Sequence, residues 1–182
     1  MDNPQGKPAA IEIRGLSVRA DRDVQIASLR YFHHAGRFAA AVREAVGRTL
    51  PEPLRAFQVG SAAQGSYVTL AWRSPTETLL LSNDRGAFAE LERQLAAAAD
   101  GCMVNQTGGI CVLRVRGEQA GNLLQRLGAA TAIASLGEAR SGRLAELHVL
   151  TACVQSGEFL LLVERVYANH LIEWIRATVA DF

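Results

Sequence analysis

Four histidines and three cysteines are the side chains of this sequence with the widest chemical repertoire, and their spacing decides what they can do. The histidines are His33, His34, His148 and His170. Neighbours such as His33 and His34 point in different directions on any regular element, so they form no chelate by themselves. The chain has no His-x-x-x-His, no Cys-x-x-Cys and no carboxylate-rich loop that would complete a zinc or calcium site, so no bound metal is expected. His33-His34 falls at a strand-to-helix junction and reads as a surface or capping feature. Cys111 lies between Ile110 and Val112-Leu113, where burial raises a thiol pKa, the wrong setting for a nucleophile. Cys102, Cys111 and Cys153 are scattered in or beside apolar runs and read as buried free thiols of a reducing cytoplasm. No Gly-x-x-x-x-Gly-Lys-Ser/Thr stretch is present, and Gly108-Gly109 precedes a strand, the wrong side for a phosphate cradle. Trp72 and Trp174 sit on patterned elements and read as packing anchors. No catalytic, cofactor-binding or metal-binding residue is assigned on these grounds.

The elements that would have to position such groups come in two similar sets. Thr69-Leu70-Ala71-Trp72-Arg73-Ser74-Pro75-Thr76-Glu77-Thr78-Leu79-Leu80-Leu81 and Thr151-Ala152-Cys153-Val154-Gln155-Ser156-Gly157-Glu158-Phe159-Leu160-Leu161-Leu162 share an order. Each is an extended run, a polar turn and a triple leucine, and an amphipathic helix follows. In the first half, Val24 to Phe32 reads as a strand. Phe38, Ala41, Val42, Ala45 and Val46 then mark a helix stopped by Gly47, Pro51 and Pro53. Leu54 to Gly65 reads as a loop that includes a short strand at 56–59. Tyr67 to Arg73 alternates, with Val68, Leu70 and Trp72 on one face and Thr69 and Arg73 on the other, the pattern of a half-buried strand. Thr78 to Ser82 returns as a strand, and Asn83-Asp84 caps a helix carrying Phe88, Leu91 and Leu95.

In the second half a strand over 109–116 leads through Gly117 into a helix with Ala120, Leu123, Leu124 and Leu127 inward. A glycine-containing loop follows, then one long strand from Leu144 to Val154, a turn, and the strand from Phe159 to Val163. A last helix carries Leu171, Ile172, Ile175 and Val179. The expectation is therefore an α+β fold of pseudo-duplicated strand-helix-strand-strand-helix halves, about 24–106 and 109–180, with largely antiparallel sheet and helices packed on it. A strand at 102–106 closes the first half. Residues 1–10 read as a flexible tail and Ala10 to Val18 as one short edge strand.

The 182 residues suffice for a sizeable core, and 49% hydrophobic with 20% charged residues is ordinary globular composition. A net charge of +1 leaves no electrostatic footprint for nucleic acid or an acidic membrane. No apolar run approaches the ~20 residues that span a bilayer, and the N-terminus lacks the apolar stretch of a signal peptide. Only Lys7 is a lysine, so the cations are almost all guanidinium groups, suited to planar pairing with carboxylates.

Val115-Arg116-Gly117-Glu118-Gln119-Ala120-Gly121-Asn122-Leu123-Leu124-Gln125 resembles the strand-Gly-x-x-Ala-x-x-Leu-Leu segment of the aminomethyltransferase (glycine-cleavage T-protein) superfamily. Within it, Ala71 to Leu81 resembles the Trp-x-x-Pro-x-Glu-x-Leu-Leu block of the sarcosine oxidase gamma-subunit family, and Phe159 to Ile175 resembles its tail. The match runs from about Val24 to Ile175. It implies one T-protein-like domain over 1–182 and a role as a gamma-like subunit of a heterotetrameric oxidase or dehydrogenase acting on sarcosine or a related N-methyl amino acid. It also implies alpha, beta and delta partner subunits carrying FAD, FMN, NAD, tetrahydrofolate and zinc, with no cofactor on this chain. The sequence departs from the superfamily where it matters for catalysis. Asn105 stands in the Asp-x-Ser region, and an amide is no proton acceptor. The loop from Gly128 to Ala132 lacks the usual Pro-x-Asp, and Gly142 replaces a usual threonine. The alternative implied by the same resemblance is a stand-alone tetrahydrofolate-binding one-carbon protein.

Overall fold

The computed structural model describes residues 10–61, 65–180 and 182. Residues 1–9, most of the expected tail, and 62–64 lie outside the described residues. In chain order the strands and helices are β1 (Ala10–Ile13), β2 (Leu16–Asp21), β3 (Gln25–Tyr31), α1 (Arg37–Val46), β4 (Ala56–Ser61), β5 (Ser66–Ser74), β6 (Glu77–Ser82), α2 (Arg85–Leu95) and β7 (Gly101–Asn105). They continue as β8 (Ile110–Arg116), α3 (Ala120–Leu127), β9 (Glu138–Leu144), β10 (Leu147–Gln155), β11 (Glu158–Glu164) and α4 (Ala168–Val179). No helix among the described residues is long and apolar enough to cross a membrane.

Helix boundaries follow from local chemistry. α2 starts on Asp84, whose carboxylate accepts from the Gly86 and Ala87 N–H groups at 2.8 and 3.0 Å, as the Asn83-Asp84 pair predicts. α1 begins after Gly36, which has no side chain to cap with. Asp100, 62 residues beyond Phe38, supplies the cap, taking the Arg37 and Phe38 N–H groups at 2.7 Å each. Gly47 ends the helix at φ 79°, a left-handed position that glycine adopts without steric cost.

All strand pairs are antiparallel, in a five-stranded sheet ordered β4-β5-β6-β3-β7 and a six-stranded sheet ordered β1-β2-β8-β11-β10-β9. The two sheets pack face to face. Ile26, Ala71, Leu79 and Leu81 of the first meet Val112, Leu150, Leu160 and Leu162 of the second in one apolar layer. α1 and α2 cover the outer face of the first sheet through Phe38, Val42, Phe88 and Leu91. α3 and α4 cover the second through Leu123, Leu124, Leu171 and Ile175. The result is a four-layer α/β/β/α sandwich. The helices thus lie on one side of each sheet, and the other side of each is core.

This layering explains where sequence and structure differ. Thr69 is fully buried, because the face it shares with Ala71 meets the second sheet rather than water. An alternating pattern reads as half-buried, yet small polar residues satisfied by a neighbour tolerate a second buried face; the Thr69 hydroxyl bonds the Gln58 side chain at 3.2 Å. Ala10 to Val18 is not one edge strand but the hairpin β1–β2, reversed at Gly15 with φ 79°. The long strand expected from Leu144 to Val154 is β10, which starts three residues later, at Leu147. Ala145 and Glu146 make a tight turn at positive φ without the Asn-Gly signal that advertises one, and β9 occupies what reads as loop.

The duplication is topological as well. The first half orders its core strands β5-β6-β3-β7, and the second orders them β10-β11-β8-β2. The fourth place in the second half is filled by β2, from the beginning of the chain. At the opposite corner the sheets are stitched together, with Ala56 N–H donating to Gly137 C=O and Ala139 N–H to Leu54 C=O.

Candidate functional site

The repeat places one carboxylate at the same point of each half. Ala71 pairs with Leu79 and Ala152 with Leu160, so Leu70–Leu81 corresponds without a gap to Thr151–Leu162. Glu77 and Glu158 are then equivalent, opening β6 and β11 on the face toward the other sheet. Across from them stand Arg30 and Arg116. Two positions earlier stand Ser28 in one half and Arg114 in the other. Each glutamate therefore closes one rim of the apolar layer between the sheets.

Around Glu158 the rim is an ion network. The Arg114 guanidinium donates to Glu158 and, at 2.7 Å, to Asp21 on β2, and Arg116 also donates to Glu158. Tyr67 reaches across from the other sheet, its hydroxyl accepting from Arg114 at 2.9 Å and donating to Asp21 at 3.4 Å. Burial works against the charge on Arg114, but the Asp21 hydrogen bond and the nearby negative groups outweigh it and raise its pKa above the ordinary value. Burial likewise raises the Tyr67 hydroxyl, against the pull of Arg114. A cleft of about 460 Å³ opens over this network, with Arg19, Gln58 and Asn83 on its walls. It offers polar contacts to a ligand. Its acids, however, already accept from arginine, so none is poised as a general base. Around Glu77 the contacts are looser: Ser28 Oγ donates at 2.6 Å, Arg73 at 3.3 Å, and Arg30 lies 4.0 Å away.

The residues singled out from sequence do not converge. Asn105 ends β7 at an exposed turn, its Oδ1 taking the Thr107 N–H at 3.0 Å. Thr107 in turn holds Ile26, and Arg165 ties the following loop down through the carbonyls of Thr107, Gly108 and Ile110 at 2.8–3.0 Å. This segment joins the halves. His33, His148 and His170 are exposed, and His34 bonds the Pro51 carbonyl at 3.1 Å. Among the described residues no three of His, Cys, Asp and Glu gather where a metal ion could sit. Cys111 and Cys153 are buried with raised pKa values, burial being the main cause in both. Cys102 is exposed, contrary to the expectation from its apolar neighbours, because β7 lies at the edge of its sheet. Trp174 is also exposed rather than a packing anchor, and Trp72 is half-buried. Gly142 has a structural reason. A Cβ there would sit 2.4 Å from that of Ala132, whose carbonyl accepts the Thr151 hydroxyl at 2.5 Å.

No protein-family model matches the chain, and no curated protein matches it in sequence. Solved structures do. A chain of heterotetrameric sarcosine oxidase from Corynebacterium sp. U-96, in complex with pyrrole 2-carboxylate, superposes with TM-score 0.79 at 20% identity, over 96% of this chain and 89% of that one. The likeness is one of fold. Aminomethyltransferase T of the glycine cleavage system from Bartonella henselae follows with TM-score 0.64 at 15% identity, over 86% of this chain but only 44% of its own. The α+β architecture expected from the sequence is thus that of aminomethyltransferase-like structures. The ion network was missed from sequence. Its signal was the repeat itself, once Glu158 is set against Glu77 and the alternation Arg114-Val115-Arg116 is read as one face of a strand.

Proposed function

We propose that this chain is a non-catalytic, gamma-like subunit of a heteromeric oxidase or dehydrogenase of sarcosine or a related N-methyl amino acid. It supports assembly of alpha, beta and delta subunits, and FAD, FMN, NAD and tetrahydrofolate belong to those partners. A cytoplasmic setting goes with this reading. The observation that carries it is the whole-length correspondence with a chain of a heterotetrameric sarcosine oxidase, where the aminomethyltransferase is matched over less than half its length. Two further features support it. The charged groups under the rim cleft are engaged with one another, and Asn105 caps a turn instead of offering a carboxylate. Phe32 and Val166, each 79% exposed, and Trp174 are large apolar groups of the kind that partner chains cover.

The test is to isolate the tagged chain from its own cells by size and read the flavin absorbance and sarcosine oxidation of whatever travels with it. A flavoprotein assembly that oxidises an N-methyl amino acid supports the proposal. A lone chain that binds tetrahydrofolate tightly, or demethylates sarcosine unaided, overturns it in favour of the stand-alone one-carbon protein.

A further inference from the structure

The two sheets end differently on one side of the fold. Past β2 the second sheet continues to β1. Past β7, which holds the equivalent place, the described residues supply no further strand. The register extends this equivalence to single residues. Arg116 faces Ser17 across one pair and Arg30 faces Cys102 across the other, so Met103 stands for Val18. Main-chain bonds between β3 and β7 run through Gln106 N–H to Ile26 C=O and Phe32 N–H to Asp100 C=O. By the alternation of an antiparallel ladder, the N–H and C=O of Met103 point away from β3.

Natural edge strands are usually blunted by charge, proline or a bulge. From Gly101 to Leu113 this chain has no charged residue and no proline. Beside the edge, Phe32 is exposed above a cavity of about 490 Å³ that Tyr31, Ala99 and Cys102 also line. One charge is placed to select what docks. Arg30, 59% exposed, reaches Glu77 only at 4.0 Å, and Glu77 already accepts from Ser28 and Arg73. In the other half, the residue opposite Ser17 is Glu12 of β1, bonded to Ser17 and Arg19 and flanked by Ile11 and Ile13 on the helix side.

We infer that β7 is a docking edge for an extended strand of a partner subunit, antiparallel to β7 and of the form apolar-acidic-apolar, with its acid opposite Cys102 and within reach of Arg30. This rests on the proposed role as a subunit. Main-chain pairing along Met103 supplies register and the Arg30 charge supplies selectivity.

The experiment compares the full chain alone with the assembly isolated from its own cells, reading amide exchange at Met103 and alkylation of Cys102 by iodoacetamide. Both are expected to slow at least about tenfold in the assembly, with Cys111 and Cys153 unreactive in either state. Met103→Pro removes the outward N–H and keeps the bonds to β3; it should abolish recovery of the partner with the chain's thermal transition retained. Arg30→Gln, which leaves the backbone alone, should weaken association about tenfold and serves where the proline variant does not fold. An assembly in which Cys102 and Met103 react as in the free chain overturns this inference alone. Recovery of no partner overturns it together with the subunit reading. An oligomer of this chain alone that protects the same edge makes a second copy the occupant and also overturns it.

Discussion

Glu158 stands where Glu77 stands in the other half, yet Glu158 is 5% exposed and held by two arginines, whereas Glu77 has a serine in the place of one of them. The same backbone position thus carries a buried ion network at one rim of the sandwich and, at the other, a largely buried acid held by Ser28 and more loosely by Arg73. Removing one partner of a buried pair leaves an uncompensated charge, which costs more than the pair contributes. Glu158→Gln is therefore expected to lower unfolding free energy by about 3 kcal/mol, and Glu77→Gln by about 1 kcal/mol. Urea unfolding of both variants measures this, and equal losses would refute the asymmetry.

Gly142→Thr introduces a side chain where the fold leaves no room and should harm this protein. The added Cβ meets Ala132 at a distance that no real contact tolerates. Overpacking of this kind costs about 2 kcal/mol, with the single-turn helix Ala130–Ala132 pushed off β9. A variant with an unchanged melting temperature would show that this turn is free to move.

The Asp100 cap makes the stability of α1 depend on pH. Partial burial raises the Asp100 pKa, but its bonds from the Phe38 and Arg37 N–H groups outweigh that and hold it below the ordinary value. A folded-state pKa that is depressed gives stability present above the unfolded pKa, roughly 3.9 for an aspartate, and lost as pH falls through the folded pKa. The stability advantage of the native protein over Asp100→Ala should be constant near neutrality and shrink in that acid window. Thermal melts of the pair across pH 2 to 7, on the order of the carboxylate range, check it; a gap that stays constant to the acid end would falsify the cap.

Leu16→Ala tests the hairpin. Leu16 is buried in the outer core with Leu113 and Leu124, although its place near the start of the chain suggests a peripheral edge. A loss of about 3 kcal/mol is expected, the scale of a central leucine. A loss well under that, read by denaturant titration, would mean the hairpin is loosely attached.

Much of this fold was legible because its helices are strongly periodic and its leucine runs mark buried strands. Phe38, Val42 and Val46, or Leu123, Leu124 and Leu127, go where a period of 3.6 puts them. The strands that escaped share a physical reason. β9 is a polar edge strand whose only deeply buried residues are Ala139 and Leu144, and its turn lacks glycine and asparagine. The destination of β2, beside β8, follows from tertiary packing and leaves no trace in local pattern. Cys102 and Trp174 were misread because apolar neighbours predict burial only where another layer arrives. Of the rim network the repeat signals only Glu158 and its arginines; Asp21 and Tyr67 join from two further strands, which tertiary packing alone brings there.

Because β2 lies against β8, a strand that precedes the whole first half pairs with one that follows it; Asp21 and Arg114, which meet in the folded protein, are 93 residues apart. Between them the chain runs through the whole first half, so this pairing carries the loop-closure cost of a long-range contact. Cutting the polypeptide between β7 and β8 would therefore leave β2 on the piece that lacks its neighbour.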